Sequence, residues 1–97
     1  MTLTKKEVLE YLRAGKSKFE REYGVRQIGV FGSLARNEST PESDLDILVE
    51  MPEPTFDGYM DLKFELEDRF GVTVDLVLRE TLKDGLRPVI EQETVYA

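Results

Sequence analysis

The chain has no cysteine and no histidine. Without cysteine there is no disulfide and no thiolate metal site. Without histidine the usual general base, the usual zinc ligand and every Ser-His triad are excluded. Any chemistry must therefore run on carboxylates, hydroxyls, lysine, arginine or a hard metal ion. Also missing is an apolar run long enough to span a membrane, and the opening Met1-Thr2-Leu3-Thr4-Lys5-Lys6 lacks a signal-peptide core. The expected location is the cytoplasm, with no membrane contact. Positive charge is scarce: 13 basic side chains stand against 20 acidic ones, leaving a formal net charge of -7. That balance argues against stable, unaided binding of nucleic acid and suits a basic protein partner.

What is present fits one folded domain, residues 1–97. Its hydrophobic fraction of 40% and charged fraction of 34% are those of a globular protein and not of a disordered chain. Thr4 followed by Glu7 is a capping-box pattern, and Val8, Tyr11, Leu12, Phe19 and Tyr23 share a helical face. The spacing predicts one helix, weakened at Gly15 and stopped at Gly24. Val25 to Phe31 reads as a strand ended by Gly32-Ser33. A short helical turn over Leu34 to Asn37, with Ser33 as its N-cap, leads into a polar loop up to Ser43.

Asp44 to Val49 reads as a second strand. Asp44, Asp46 and Leu48 share one face, and Leu45, Ile47 and Val49 the other, so the aspartates do not compete with the core side. Gly58 to Phe70 reads as a helix with a Tyr59, Leu62, Leu66, Phe70 stripe. Tyr59, Phe64 and Phe70 read as core or partner surface; Lys63, Glu65, Glu67, Asp68 and Arg69 read as a solvated face. Val72 to Leu78 is a third strand whose opposite face carries Thr73, Asp75 and Val77. Thr81 to Glu93 is expected to be helical in part, with Pro88 in its first turn and a short extended end at Thr94-Val95-Tyr96. The order predicts an α/β (α+β) domain. Helices lie mainly on one face of a small mixed sheet, and the Asp-bearing face is left open as a shallow cleft.

The chemistry-bearing pattern is Gly32-Ser33-Leu34-Ala35-Arg36 followed by Ser43-Asp44-Leu45-Asp46. A Gly-Ser turn can bring backbone N–H groups close to a phosphate. Carboxylates at i and i+2 of a strand point the same way and offer the hard oxygens that a nucleotide-bound Mg²⁺ needs. An EF-hand starting at Asp44 fails, because Leu48 and Val49 stand where an oxygen ligand and a glycine are required. There is no Walker A run and no Gly-x-Gly-x-x-Gly. Asp75 needs an explanation, since a charge in an apolar strand is costly unless paired or metal-bound; a structural salt bridge is the alternative to a ligand role.

Taken together, these motifs resemble the signature of the DNA polymerase beta superfamily of nucleotidyltransferases, across nearly the whole chain. They look most like the minimal branch, the MntA-type antitoxins encoded beside HEPN-domain toxins. Leu86-Arg87-Pro88-Val89-Ile90 through Val95-Tyr96 also looks like that branch, whereas Asn37 stands where the branch often has glycine. The resemblance implies a polymerase beta-like fold and ATP as substrate, its phosphates held by Gly32 and Ser33. It implies two Mg²⁺ ions on Asp44, Asp46 and Asp75, roughly 3.5–4 Å apart as in other two-metal sites. Asp75 would also help to remove the acceptor proton. Arg36 could reach a phosphate or pair with Glu38 or Glu42. The implied activity is AMP transfer to a protein hydroxyl, a tyrosine of the HEPN toxin. A non-catalytic antitoxin that covers its partner and a small-molecule nucleotidyltransferase remain the alternatives.

Overall fold

In the computed structural model, which describes residues 3–97, Thr4 caps the first helix as its spacing to Glu7 predicts. Its Oγ1 accepts the Glu7 N–H at 3.1 Å. Met1 and Thr2 of the amino-terminal stretch lie outside the described residues. The single helix expected up to Gly24 is two helices, α1 (Lys5–Ala14) and α2 (Lys16–Tyr23). Gly15 separates them: its N–H closes α1 on the Tyr11 carbonyl, and its own carbonyl opens α2 by accepting the Phe19 N–H. The bend brings Phe19 fully into the same core as Val8 and Leu12.

Four strands form one sheet: β1 (Gln27–Phe31), β2 (Leu45–Glu50), β3 (Val74–Leu78) and β4 (Val95–Tyr96), in the order β3-β2-β1-β4. β2 runs antiparallel to β1 and parallel to β3, and β4 runs antiparallel to β1. The sheet is thus mixed. Between strands lie α3 (Gly32–Ala35), α4 (Phe56–Phe70), a 3₁₀ turn (Arg79–Thr81) and α5 (Arg87–Glu93). α4 begins two residues before the expected Gly58, because Thr55 caps it by accepting the Gly58 N–H at 3.0 Å. Among the described residues no helix is long and apolar enough to cross a membrane.

Strand parity decides which face is core. Ile28, Val30, Leu45, Ile47, Val49, Val74 and Leu76 pack against Val8, Leu12, Phe19, Leu62 and Leu66 of α1, α2 and α4. Each such buried side chain contributes on the order of 1.5–3 kcal/mol. The Asp-bearing face is less open than the strand pattern predicts. α5 is tied over it by ion pairs from Glu91 to Arg79 and from Glu93 to Arg36. Gly29 makes room for that crossing: a Cβ there would stand 2.8 Å from Cγ2 of Thr94. Leu48, in register with Gly29 and Val77, is consequently buried.

The face of α4 expected to be solvated is in fact a docking face. Glu65 accepts hydrogen bonds from the hydroxyls of Tyr11 (3.1 Å) and Tyr23 (2.9 Å) and from Lys18 Nζ (3.0 Å). Arg69 lies 5.1 Å over the Tyr11 ring. At the sheet's outer strand, Glu67 accepts the Val74 N–H at 2.9 Å, and the Tyr59 hydroxyl donates to the Leu76 carbonyl. Glu65 therefore bolts three helices together. Burial disfavours its charged form, but the bonds from Lys18, Tyr23 and Tyr11 prevail and hold the carboxyl below its ordinary value of 4.5. A carboxyl depressed in the folded state stabilises the fold above its unfolded pKa, and this contribution is lost as pH falls through the folded value. Glu65→Ala should thus cost about 1–3 kcal/mol at neutral pH, where two tyrosine donors lose their acceptor. The gap to the parent should shrink below about pH 4.5. Urea unfolding of both proteins at neutral and acid pH checks this.

Candidate active site

The hydrogen-bond register brings two of the three aspartates of the sequence pattern side by side, and the third, Asp44, lies just before the strand. Asp46 of β2 lies directly beside Asp75 of β3, and on its other side is Phe31, the residue before Gly32. Asp44 precedes β2 by one residue and is exposed; Asp75 is exposed in the outer strand, and Asp46 is half-buried between them. Burial, followed by the charges of Asp75, Asp44 and Glu93, pushes the Asp46 carboxyl above its ordinary value, with Arg36 acting the other way. Among the described residues Asp75 has no basic partner within ion-pair distance, so the salt-bridge alternative finds no support. Among the described residues, too, no three acidic side chains stand close enough to form a ready-made cation cage. Asp46 and Asp75 stand side by side across the strands and are not part of a three-acid cluster of described residues.

Gly32 is the fixed point of the site. Its φ of +72 lies in the left-handed region, and a Cβ there would stand 2.0 Å from Asp46 Oδ2. The β1–α3 turn therefore lies directly against the Asp46 carboxylate, which only a residue without a side chain permits. The turn itself is pinned by the Arg36 N–H on the Gly32 carbonyl at 3.1 Å and the Glu38 N–H on the Ser33 carbonyl at 2.8 Å. Ser33 is not the N-cap that its position suggested. Phe31 holds the N-cap place, no side chain caps the helix, and the Ser33 hydroxyl is not consumed by capping. Asn37 follows with φ 60, a conformation asparagine tolerates better than most residues. Beside Asp44, a cavity of ≈ 230 Å³ opens between the loop residues Ser39, Thr40 and Ser43 and the α4–β3 turn at Phe70.

Arg36 pairs with Glu38, one of the two glutamates proposed for it, at 3.1 Å, and also with Glu93. The second partner was not foreseen, because it lies 57 residues away at the end of α5. Carboxylate oxygens beside a turn with no side chain in the way are the type of donor that a hard divalent cation prefers, although among the described residues they are not gathered into a cage. Soft or nitrogen-preferring metals find no ligands here.

Comparisons with known proteins identify the family and the fold. The family model for the nucleotidyltransferase domain matches residues 12–97. Protein adenylyltransferase MntA of Thermococcus cleftensis is 41% identical over 95 residues, which cover 97% of this chain and 96% of that protein. A solved structure described as a minimal nucleotidyltransferase superposes with a TM-score of 0.82 at 33% identity, covering 96% of this chain and 95% of that one. A complex of tri-AMPylated Shewanella oneidensis HEPN toxin with its MNT antitoxin shares the fold at TM-score 0.62 and 19% identity, covering 91% of this chain and 70% of that one. The mixed sheet, the Gly-Ser turn against a strand aspartate and the match over most of the chain lead to one assignment: this chain belongs to the nucleotidyltransferase domain family, in its minimal, MntA-like branch.

Proposed function

We propose that this protein transfers AMP from ATP to a protein hydroxyl, a tyrosine of a HEPN-domain toxin, and so serves as the antitoxin of a toxin–antitoxin pair. The observation that carries the reading is the lateral pairing of Asp46 with Asp75 beside the Gly32 turn. The similarity to an MntA adenylyltransferase supplies the transfer reaction, and the fold shared with an antitoxin bound to its AMPylated toxin supplies the acceptor class.

In this reading Gly32 and Ser33 hold the β- and γ-phosphates, through backbone N–H groups and the free hydroxyl. Arg36 adds positive charge at the same end. Two Mg²⁺ ions held by Asp44, Asp46 and Asp75 would neutralise the phosphates and stabilise the charge that develops at the α-phosphate. Asp75 stands exposed at the sheet edge, where an incoming hydroxyl can be met; it orients that hydroxyl and helps to take its proton. Attack at the α-phosphate then expels pyrophosphate. Exposed Phe56, Phe64, Leu86 and Val89 give the surface apolar points that a protein partner can cover.

The test is to incubate the protein with labelled ATP, Mg²⁺ and the HEPN toxin encoded beside it. Label is expected on the toxin, and Asp44→Ala/Asp46→Ala should lower the transfer rate by about 10³-fold or more. Full neutralisation of the toxin by that double variant, without label, would establish occlusion as the mechanism instead.

A further inference from the structure

Arg36 is the one basic side chain that the sequence pattern places at the phosphate end of the site, yet its guanidinium is engaged. Nε donates to Glu38 and Nη1 to Glu93. The two partners differ in kind. Glu38 is a near neighbour in sequence, is itself largely exposed, and sits on the loop that carries Arg36. Glu93 is the last residue of α5, with 22% of its side chain exposed, and reaches across the sheet from the other end of the chain. Its carboxylate also lies within electrostatic reach of Asp46 and adds to the negative charge there. A fourth acid beside three aspartates is electrostatically unfavourable unless it is compensated, and Arg36 is what compensates it.

We propose that Glu93 occupies, on Arg36, the place a nucleotide phosphate takes, so that it acts as an internal competitor and sets how tightly the site holds nucleotide. The inference rests on the phosphate-binding reading of Arg36 given above. Its physical basis is that a guanidinium binds carboxylate and phosphate through the same planar donors. A phosphate arriving at Nη1 must displace Glu93 or share the donor with it, and an unshielded Glu93 would repel the phosphate. Glu93 is thus a positioning residue that acts through Arg36. Its exchange for phosphate also unlocks one of the two ion pairs that tie α5 across the face, leaving Glu91–Arg79 as the other.

The experiment measures binding of a non-hydrolysable ATP analogue with Mg²⁺, by calorimetry, to the intact protein and to Glu93→Gln, Arg36→Ala and the double variant. Glu93→Gln is expected to bind about two- to fivefold tighter, the equilibrium equivalent of a partly exposed ion pair. Arg36→Ala should bind more weakly, and Glu93→Gln should recover clearly less in that background than it adds to the parent. A merely structural role for Glu93 predicts the opposite sign, since damage to α5 would weaken binding. If Arg36→Ala weakens binding while Glu93→Gln leaves it unchanged or weakens it, the competitor role is overturned and Arg36 remains a phosphate contact. If Arg36→Ala binds as the parent does, both readings fall. Should Glu93→Gln not fold, Glu93→Asp, whose shorter side chain withdraws the carboxylate, is expected to shift affinity in the same direction, and unchanged or weaker binding by it overturns the proposal equally.

Discussion

Gly32→Ala is expected to cost folding stability and nucleotidyl transfer together. Two independent penalties meet at this position. A left-handed backbone at φ +72 costs an alanine about 1–2 kcal/mol. The new methyl would also lie 2.0 Å from Asp46 Oδ2, far inside contact distance. The nearest atom belongs to a carboxylate that can rotate, so the clash resolves by pushing Asp46 out of line with Asp75. The expected result is a loss of about 2–3 kcal/mol in denaturant unfolding. Transfer should fall by about 10²-fold or more, since displacement of a catalytic group by an ångström already has that effect. A variant that loses the stability but transfers AMP at the parent rate would show that the placement of Asp46 against the turn does not matter to the reaction.

Asp46→Asn is expected to move stability and activity in opposite directions. The carboxylate is half-buried and faces Asp75, Asp44 and Glu93. Its carboxyl is raised above the ordinary 3.8, first by burial and then by those charges. The sign follows from linkage. A carboxyl raised in the folded state takes up its proton more readily there than in the unfolded chain. Ionised Asp46 therefore counts against the fold at every pH above its folded value. Asparagine keeps the shape without the charge, so the variant should unfold at a higher temperature than the parent at neutral pH when both are measured in chelator. AMP transfer in Mg²⁺ should drop by about 10³-fold, as expected on weakening the hold on a metal ion that would stabilise transition-state charge. Thermal unfolding and the labelled-ATP assay, run on the same preparation, check both arms. A destabilised variant would mean that favourable contacts of the carboxylate outweigh its repulsion.

The strands and their faces were legible because strand periodicity is a local property. Asp44-x-Asp46 and the alternation around Asp75 assign sides without knowledge of the partners, and the observed register places Asp46 beside Asp75 on the side the parity indicates. The Gly-Ser turn was legible as a turn, but its close approach to Asp46 was not, because that depends on the antiparallel pairing of β1 with β2. Three features escaped for the same reason. Glu65 looked solvated because its donors, Tyr11, Lys18 and Tyr23, are 42 to 54 residues away. Glu93 carries no local mark that distinguishes it from other surface glutamates. The break at Gly15 was visible as a weak point, but that two helices result is decided by the tertiary demand to bury Phe19.

The side chains of α4 that reach the outer strand have a meaning for solubility. An unpaired sheet border offers its amides and carbonyls to any extended chain that drifts past, which is how fibrils recruit. Here Glu67 already occupies the Val74 amide and Tyr59 the Leu76 carbonyl, so that border is partly spent. A newcomer must first evict both before it can lengthen the sheet. The helix that shapes the core thus also discourages the molecule from polymerising along the β3 margin of its sheet.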